Sequence, residues 1–179
     1  VIENIVVYLR NNFTNLPIRI MTTIQLDDLD YKILSKLASD ARKPYLEIAR
    51  ECGVSGAAIH QRIQKLYNMG VIKGTETQIS PAAVGYDTCA FVGIYLKDPS
   101  HYSEVVEKLR EIPEVAEIYF TTGAFDMFAK IYAKNNLHLM SIIHGRLQGL
   151  GLSRTETLIS FKEVLKRQIP VGDPAANNE

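Results

Sequence analysis

Apolar residues in the first third of the chain recur every three or four positions, which predicts short amphipathic helices. The first helix spans Leu26–Leu37, with Asp27 placed to cap its start. The second spans Pro44–Gly53, because Pro44 suits a first helical position and Gly53 suits a helix end. The third follows Ser55, a capping residue, and ends at Gly70. Three closely spaced helices predict a small all-α unit.

After Gly74 the period changes to one typical of strands. Residues 75–87 form a connector with some strand character, and four β-like runs then alternate with two helical ones. The strands are predicted at Cys89–Leu96, Val115–Thr121, Met127–Ala133 and Thr155–Phe161. The helices are predicted around Val105–Ile112 and Leu139–Leu147, and a hairpin turn at Thr122–Asp126. The order β-α-β-β-α-β is typical of a ferredoxin-like plait, so the fold class is α+β.

The second and third helices have the spacing of a helix-turn-helix. Two helices that cross closely need a small residue at the crossing, a turn residue that tolerates positive φ, and an aliphatic anchor beyond it. Ala49, Gly53 and Ile59 meet these three needs. The alternative is a helical hairpin used only for packing or dimerisation.

Charge favours the DNA-binding interpretation. The net charge of the whole chain is zero, yet residues 41–74 hold six basic residues against two acidic ones. The third helix would enter the major groove, with its small residues and glutamines near base edges and its basic residues near phosphates. The candidate DNA contacts are Ser55, Gly56, Ala57, His60, Gln61, Arg62, Gln64, Lys65 and Lys73.

Composition excludes several classes of protein. Cys52 and Cys89 are isolated, which argues against a disulfide framework or a metal site. The longest apolar run, Cys89–Leu96, is far shorter than the ~20 residues that span a bilayer, so we expect no membrane association. No paired carboxylates, nucleophile–base spacing or phosphate loop points to catalysis, and no cofactor is expected. We expect a cytoplasmic, nucleoid-associated protein.

The two ends of the chain stand outside this organisation. Residues 1–20 contain no Met and precede Met21, so they are either non-native upstream sequence or an extra N-terminal arm. We assign residues 21–74 to the helix-turn-helix domain, 75–87 to a hinge and 88–168 to the plait. Residues 169–179 are predicted to be a disordered tail.

The ordered set of motifs resembles the Lrp/AsnC (leucine-responsive and asparagine-synthetase regulator) family of transcription regulators. The resemblance covers about Leu26 to Lys166 and includes Leu26-Asp-Asp-Leu-Asp30, Gly53-Val-Ser55, Gly70-Val-Ile72, Thr122-Gly-Ala-Phe-Asp126 and Thr155-Glu-Thr157. It implies a winged helix-turn-helix and a C-terminal domain that binds a small amino-acid-like effector. It also implies dimers paired through their C-terminal sheets, which assemble further into tetramers or octamers.

The resemblance places the effector at the Thr122–Asp126 turn. A glycine there exposes backbone N–H groups to a carboxylate, and an aspartate can pair with an ammonium group. The same residues are also those of an ordinary hairpin turn. The candidate effector contacts are Thr121, Thr122, Gly123, Asp126, Leu158 and Ser160, and the resemblance implies that the last two lie across a subunit interface.

Two other functions fit the same architecture. One is an architectural DNA-binding protein with no specific effector. The other is an enzyme similar to sirohaem decarboxylases, which would need basic residues and His in the C-terminal cleft. His101, His138 and His144 fall at the predicted plait helices, away from the hairpin turn, which disfavours the enzyme.

Overall fold

The computed structural model describes residues 24–172, which divide into two compact units. Within that range, residues 24–78 and 165–172 belong to one unit and residues 79–164 to the other. The predictions for residues 1–20 and for the end of the tail concern residues outside the described range. No helix in that range is long and apolar enough to cross a membrane.

The first unit consists of the three predicted helices: α1 (Asp28–Ser39), α2 (Tyr45–Cys52) and α3 (Gly56–Asn68). Local sequence sets their ends. Asp27 accepts a hydrogen bond from the backbone N–H of Asp30 at 2.9 Å, and the Asp30 carboxylate accepts one from the N–H of Asp27 at 3.3 Å. Gly53 ends α2 with a φ of 69°. The helix begins one residue later than predicted, because Pro44 is its N-cap and Tyr45 its first helical residue.

A small apolar core holds these helices together. Ile33 of α1, Ile48 of α2, and Ile59 and Leu66 of α3 are completely buried. Ala49 is 3% exposed, as the close crossing of α2 and α3 requires. Burial of each large aliphatic side chain contributes about 1.5–3 kcal/mol, so this core is the main support of the unit.

The second unit is a four-stranded antiparallel sheet covered on one side by helices. Its elements are β1 (Thr88–Leu96), α4 (Tyr102–Arg110), β2 (Val115–Phe120), β3 (Met127–Ala133), α5 (Asn136–Ile142) and β4 (Leu152–Ser160). The strand order is β2-β3-β1-β4, which confirms the predicted α+β plait. The preceding connector holds no strand over residues 75–87, only a short 3₁₀ turn at Ala82–Val84.

The two faces of the sheet differ. On β1, Ala90, Val92 and Ile94 are completely buried in the core beneath the helices. The residues of β1 that alternate with these three point to the opposite side of the sheet, which we call the outer face. Residues paired across neighbouring strands share a face, so the outer face continues onto the other three strands. Its members from the four strands are Cys89, Phe91, Gly93, Tyr95, Glu117, Tyr119, Phe128, Lys130, Tyr132, Arg154, Glu156, Leu158 and Ser160.

The outer face contains a buried cation. Lys130 is 8% exposed, with its Nζ 5.3 Å from the ring centroid of Tyr132 and 3.4 Å from a carboxylate oxygen of Glu117. Burial opposes its charge, but the Tyr132 hydroxyl and the Glu117 carboxylate outweigh that effect and raise the pKa of Lys130. The ammonium therefore stays charged at neutral pH.

Candidate functional site

One face of α3 is open to solvent. Ala57, His60, Gln61 and Gln64 are all exposed, and their spacing places them together on the side opposite Ile59 and Ile63. The Gln64 amide donates to Asn68 Oδ1 at 3.0 Å. The result is a polar helical face, with small side chains at one end and amides along it.

The start of α3 is shaped by packing as well as by capping. The Ser55 hydroxyl accepts from the N–H of Ala58 at 3.2 Å. A Cβ added to Gly56 would lie 2.9 Å from Leu46 Cδ2, the end of a side chain that is 66% exposed and can move aside. The ring of His60 lies edge-on to Tyr45, with centroids 4.9 Å apart. The Ser55 cap and the side chains of α2 thus surround the start of α3.

Two of the basic residues predicted to contact phosphates are paired within the unit. Arg62 Nη1 lies 3.1 Å from Asp30 Oδ1 and also contacts the Asp27 carboxylate. The Lys65 ammonium lies 3.3 Å from Asp30 Oδ2. Asp30 is completely buried, and the Arg62 hydrogen bond holds the pKa of Asp27 below its ordinary value. These contacts connect α3 to the start of α1.

Other basic residues of the unit are exposed. Lys73 is one of the predicted contacts. Arg42 and Arg50, which sequence reasoning did not name as contacts, are exposed as well. Both lie in the positively charged segment of residues 41–74, which could have indicated them as DNA contacts. Spacing in the sequence could not distinguish exposed basic residues from those paired with acidic ones.

The predicted effector turn is a hairpin held by its own hydrogen bonds. The Thr121 hydroxyl donates to the carbonyl of Phe125 at 2.7 Å, and the N–H of Thr121 donates to the carbonyl of Asp126 at 3.1 Å. Thr122 and Gly123 are exposed, and Gly123 has a φ of 122°, which favours glycine.

Asp126 fixes this hairpin to β1. Its carboxylate Oδ2 accepts from the N–H of Leu96 at 2.8 Å, and its own N–H donates to the carbonyl of Ile94 at 3.0 Å. The side chain is half-buried. Asp126 therefore has a structural role whether or not it also meets a ligand.

Phe125 folds from the hairpin onto the outer face, directly over Gly93. A Cβ on Gly93 would lie 2.4 Å from the Phe125 ring, so only glycine leaves space for that ring. The ring also meets Tyr95 edge-on, with centroids 5.3 Å apart. Sequence reasoning missed Gly93, although an isolated glycine inside a strand is a known sign of close approach.

Leu158 and Ser160 lie apart from the hairpin within one subunit. Leu158 pairs with Phe91 and Ser160 with Cys89, whereas Asp126 bonds to Ile94. At about 3.4 Å per residue, those positions are roughly 10 and 17 Å along β1 from the hairpin. One chain alone does not bring the six predicted effector residues together.

A cavity of about 340 Å³ opens near the end of β1. It is lined by Leu96, Lys97, Asp98, His101, Glu104, Val105, Lys108, Gly149, Leu150 and Gly151. None of the predicted effector residues lines it, but Leu96 connects it to Asp126 through the 2.8 Å hydrogen bond. Both charge signs are present, and the Lys108 ammonium lies 2.6 Å from the Glu104 carboxylate.

The two units match known families separately. Residues 26–67 match the AsnC-type helix-turn-helix domain, and residues 89–170 match the Lrp/AsnC ligand binding domain. The chain is also 41% identical over 145 residues to the regulatory protein AsnC of Haemophilus influenzae, an alignment covering 80% of this chain and 97% of that protein. The chain belongs to the Lrp/AsnC family.

Other similarities agree. This Lrp/AsnC chain is 40% identical over 139 residues to the HTH-type transcriptional regulator FL11 of Pyrococcus furiosus, covering 76% of this chain and 90% of that protein. The structure of Escherichia coli AsnC superposes with a TM-score of 0.76 at 36% identity, covering 81% of this chain and 98% of that one.

These relatives are regulators and not enzymes. The proteins matched are named as regulatory proteins and transcriptional regulators, and this chain has their helix-turn-helix domain. The chain is therefore a DNA-binding transcription regulator with a ligand-binding domain, and the decarboxylase alternative is not supported.

Proposed function

We propose that this Lrp/AsnC regulator binds specific DNA sites through α3 and that a small amino-acid-like effector alters this binding or its assembly. The exposed polar face of α3, with His60, Gln61 and Gln64, is the observation that carries the proposal. A DNA-binding regulator works on the chromosome, so we place it at the nucleoid.

Base reading and phosphate contact are separable by salt dependence. Gln61→Ala should relax discrimination between the preferred site and a mutated one, leaving the slope of log affinity against log salt unchanged. Lys73→Ala should weaken binding to every sequence and reduce that slope by about one. Fluorescence anisotropy with matched duplexes at several salt concentrations measures both. Equal loss on both duplexes for Gln61→Ala would remove it from base reading.

We propose the same phosphate role for Lys65, although it also pairs with Asp30. Lys65→Ala should weaken binding to all sequences and reduce the salt slope. An unchanged slope would assign Lys65 to the internal ion pair alone, and Lys73→Ala is the matched comparison.

For the effector, we propose a site at the Thr121–Asp126 hairpin, completed by Leu158 and Ser160 of a second subunit. Thr122 and Gly123 are exposed, and backbone N–H groups in such a turn can bind a carboxylate, which supports this position. A thermal-shift screen of the twenty amino acids would find the ligand, since a ligand that favours the native state raises the apparent stability.

The position of the site is then tested by paired variants. Asp126→Asn should abolish the thermal shift while sparing DNA affinity, and Lys97→Ala, in the neighbouring cavity, should leave the shift intact. The reverse pattern would place the effector in the cavity. No shift with any amino acid, together with uniform DNA coverage that only salt modulates, would favour the architectural alternative.

We propose that two subunits pair through their outer faces and that such dimers assemble into tetramers or octamers. The exposed Tyr119 and Leu158, 52% and 55% exposed, support this pairing. Leu158→Asp should convert the dimer to monomer in light-scattering measurements. Leu137→Asp, equally drastic but on α5 at 77% exposure, is the control and should retain the dimer.

A further inference from the structure

The chain continues past β4 into a segment whose apolar side chains are exposed. We call residues 161–169 the arm. Phe161 is 101% exposed, Val164 is 89% exposed, and Leu165 and Ile169 are 68% and 77% exposed. Monomeric proteins seldom expose so many large apolar groups in so short a stretch, and such patches mark interaction sites.

The arm has a one-sided pattern that suits docking. Its apolar residues fall at i, i+3, i+4 and i+8, and the charged residues Lys162, Glu163, Lys166 and Arg167 occupy positions between them. This pattern gives an apolar stripe on a helix. Residues 161–172 form no helix in the structure, and nine residues are too few for a stable helix in water, so this stripe forms only where a surface covers it.

The arm starts from the outer face. Ser160, the last residue of β4, lies on that face opposite Cys89. Glu163 Oε2 then lies 4.0 Å from Lys130 Nζ, whose side chain is on the same face. Yet Phe161 and Val164 do not cover this face, because they are themselves exposed and Tyr119 and Leu158 stay open.

We propose that the arm of each chain docks on the outer face of a second copy of this chain. This inference rests on the pairing of outer faces proposed above and extends it to Phe161–Ile169. Each copy offers one open face and one uncovered arm, and a two-fold axis brings both pairs together in one self-complementary interface. Leu158 on the face and Phe161 on the arm are both exposed and are three residues apart in the chain.

Truncations and substitutions test the contribution of the arm. A chain ending at Ile169 keeps the arm, and its dimer dissociation constant should stay within about twofold of the full chain. A chain ending at Ser160, and the double variant Phe161→Asp with Val164→Asp, should raise that constant at least about tenfold, or about 1.4 kcal/mol. Sedimentation velocity over a dilution series measures it. An unchanged constant for both arm variants overturns the inference.

Cross-linking separates docking on a partner from folding back on the same chain. In a Cys52→Ser, Cys89→Ser background, one tagged subunit carries Val164→Cys and a differently tagged subunit carries Tyr119→Cys. We expect a mixed disulfide between the two tags under mild oxidation. Cross-links only when both cysteines are on one chain would overturn the inference.

The Leu158→Asp variant distinguishes the two proposals. If it dissociates the dimer and the arm variants do not, the face pairs and the arm is not involved. If the arm variants dissociate the dimer and Leu158→Asp does not, docking on the outer face is wrong. A full chain that is monomeric at all concentrations contradicts both.

Discussion

At the scale of single residues, Asp30 is a buried acid that pairs with two cations of α3. It is completely buried and lies within 3.1 Å of Arg62 and 3.3 Å of Lys65. Asp30→Asn should lower the free energy of unfolding by about 1–3 kcal/mol, because it leaves two cations without their buried partner. Urea denaturation measures this loss. The control Asp28→Asn, an exposed acid in the same helical turn, should cost less than about 0.5 kcal/mol; equal costs would disprove the role of Asp30.

Gly93 is a second residue whose identity is fixed by its neighbour. Gly93→Ala places a Cβ 2.4 Å from the Phe125 ring, so the ring must leave the outer face. We expect a loss of about 1–3 kcal/mol in stability, as for other overpacked sites. Adding Phe125→Leu should recover part of it in a double-mutant cycle. Gly145→Ala, with no atom within 4 Å of the new Cβ, is the neutral control; an equal effect there, or no recovery, would contradict the model of a ring-specific clash.

At the scale of elements, the sequence predicted the features that depend on contacts between residues close together in the chain. Asp27, Ser55 and Gly53 cap or end their helices as expected, because a cap involves residues only a few positions apart. The Arg62–Asp30 pair was not foreseen, since its partners are 32 positions apart and only the crossing of α1 and α3 brings them together. The separation of Ser160 from the hairpin likewise depends on strand register, which periodicity does not give.

The connection between α1 and α2 depends on pH. Glu51 contacts Lys36 of α1 and lies 2.5 Å from the Lys43 ammonium, and these hydrogen bonds, that of Lys36 first, lower its pKa from 4.5 to about 2. A depressed folded pKa stabilises the native state above the unfolded value, so this contribution is present above pH 4.5 and is lost as pH falls toward 2. Carboxyl-resolved NMR titration should give a midpoint near 2 for Glu51. In Glu51→Gln, stability should fall less between pH 4.5 and 2 than in the unmodified protein; a parallel fall, or a midpoint near 4.5, would contradict the contact.

At the scale of the whole molecule, the proposed two-fold dimer with one α3 per subunit predicts the arrangement of its DNA sites. Two recognition helices reach the same side of the duplex only if the half-sites are separated by a whole number of helical turns. Inserting five base pairs between the half-sites should therefore weaken binding at least about tenfold, and inserting ten should restore much of it, since a turn is about 10.5 base pairs. Anisotropy titrations with the three duplexes measure this, and footprinting checks that both half-sites are occupied. Equal binding to all three duplexes would mean that each helical unit binds alone or that coverage is non-specific.

The dimer-breaking variant Leu158→Asp makes the same distinction from the protein side, because a monomer should bind all three duplexes equally and weakly.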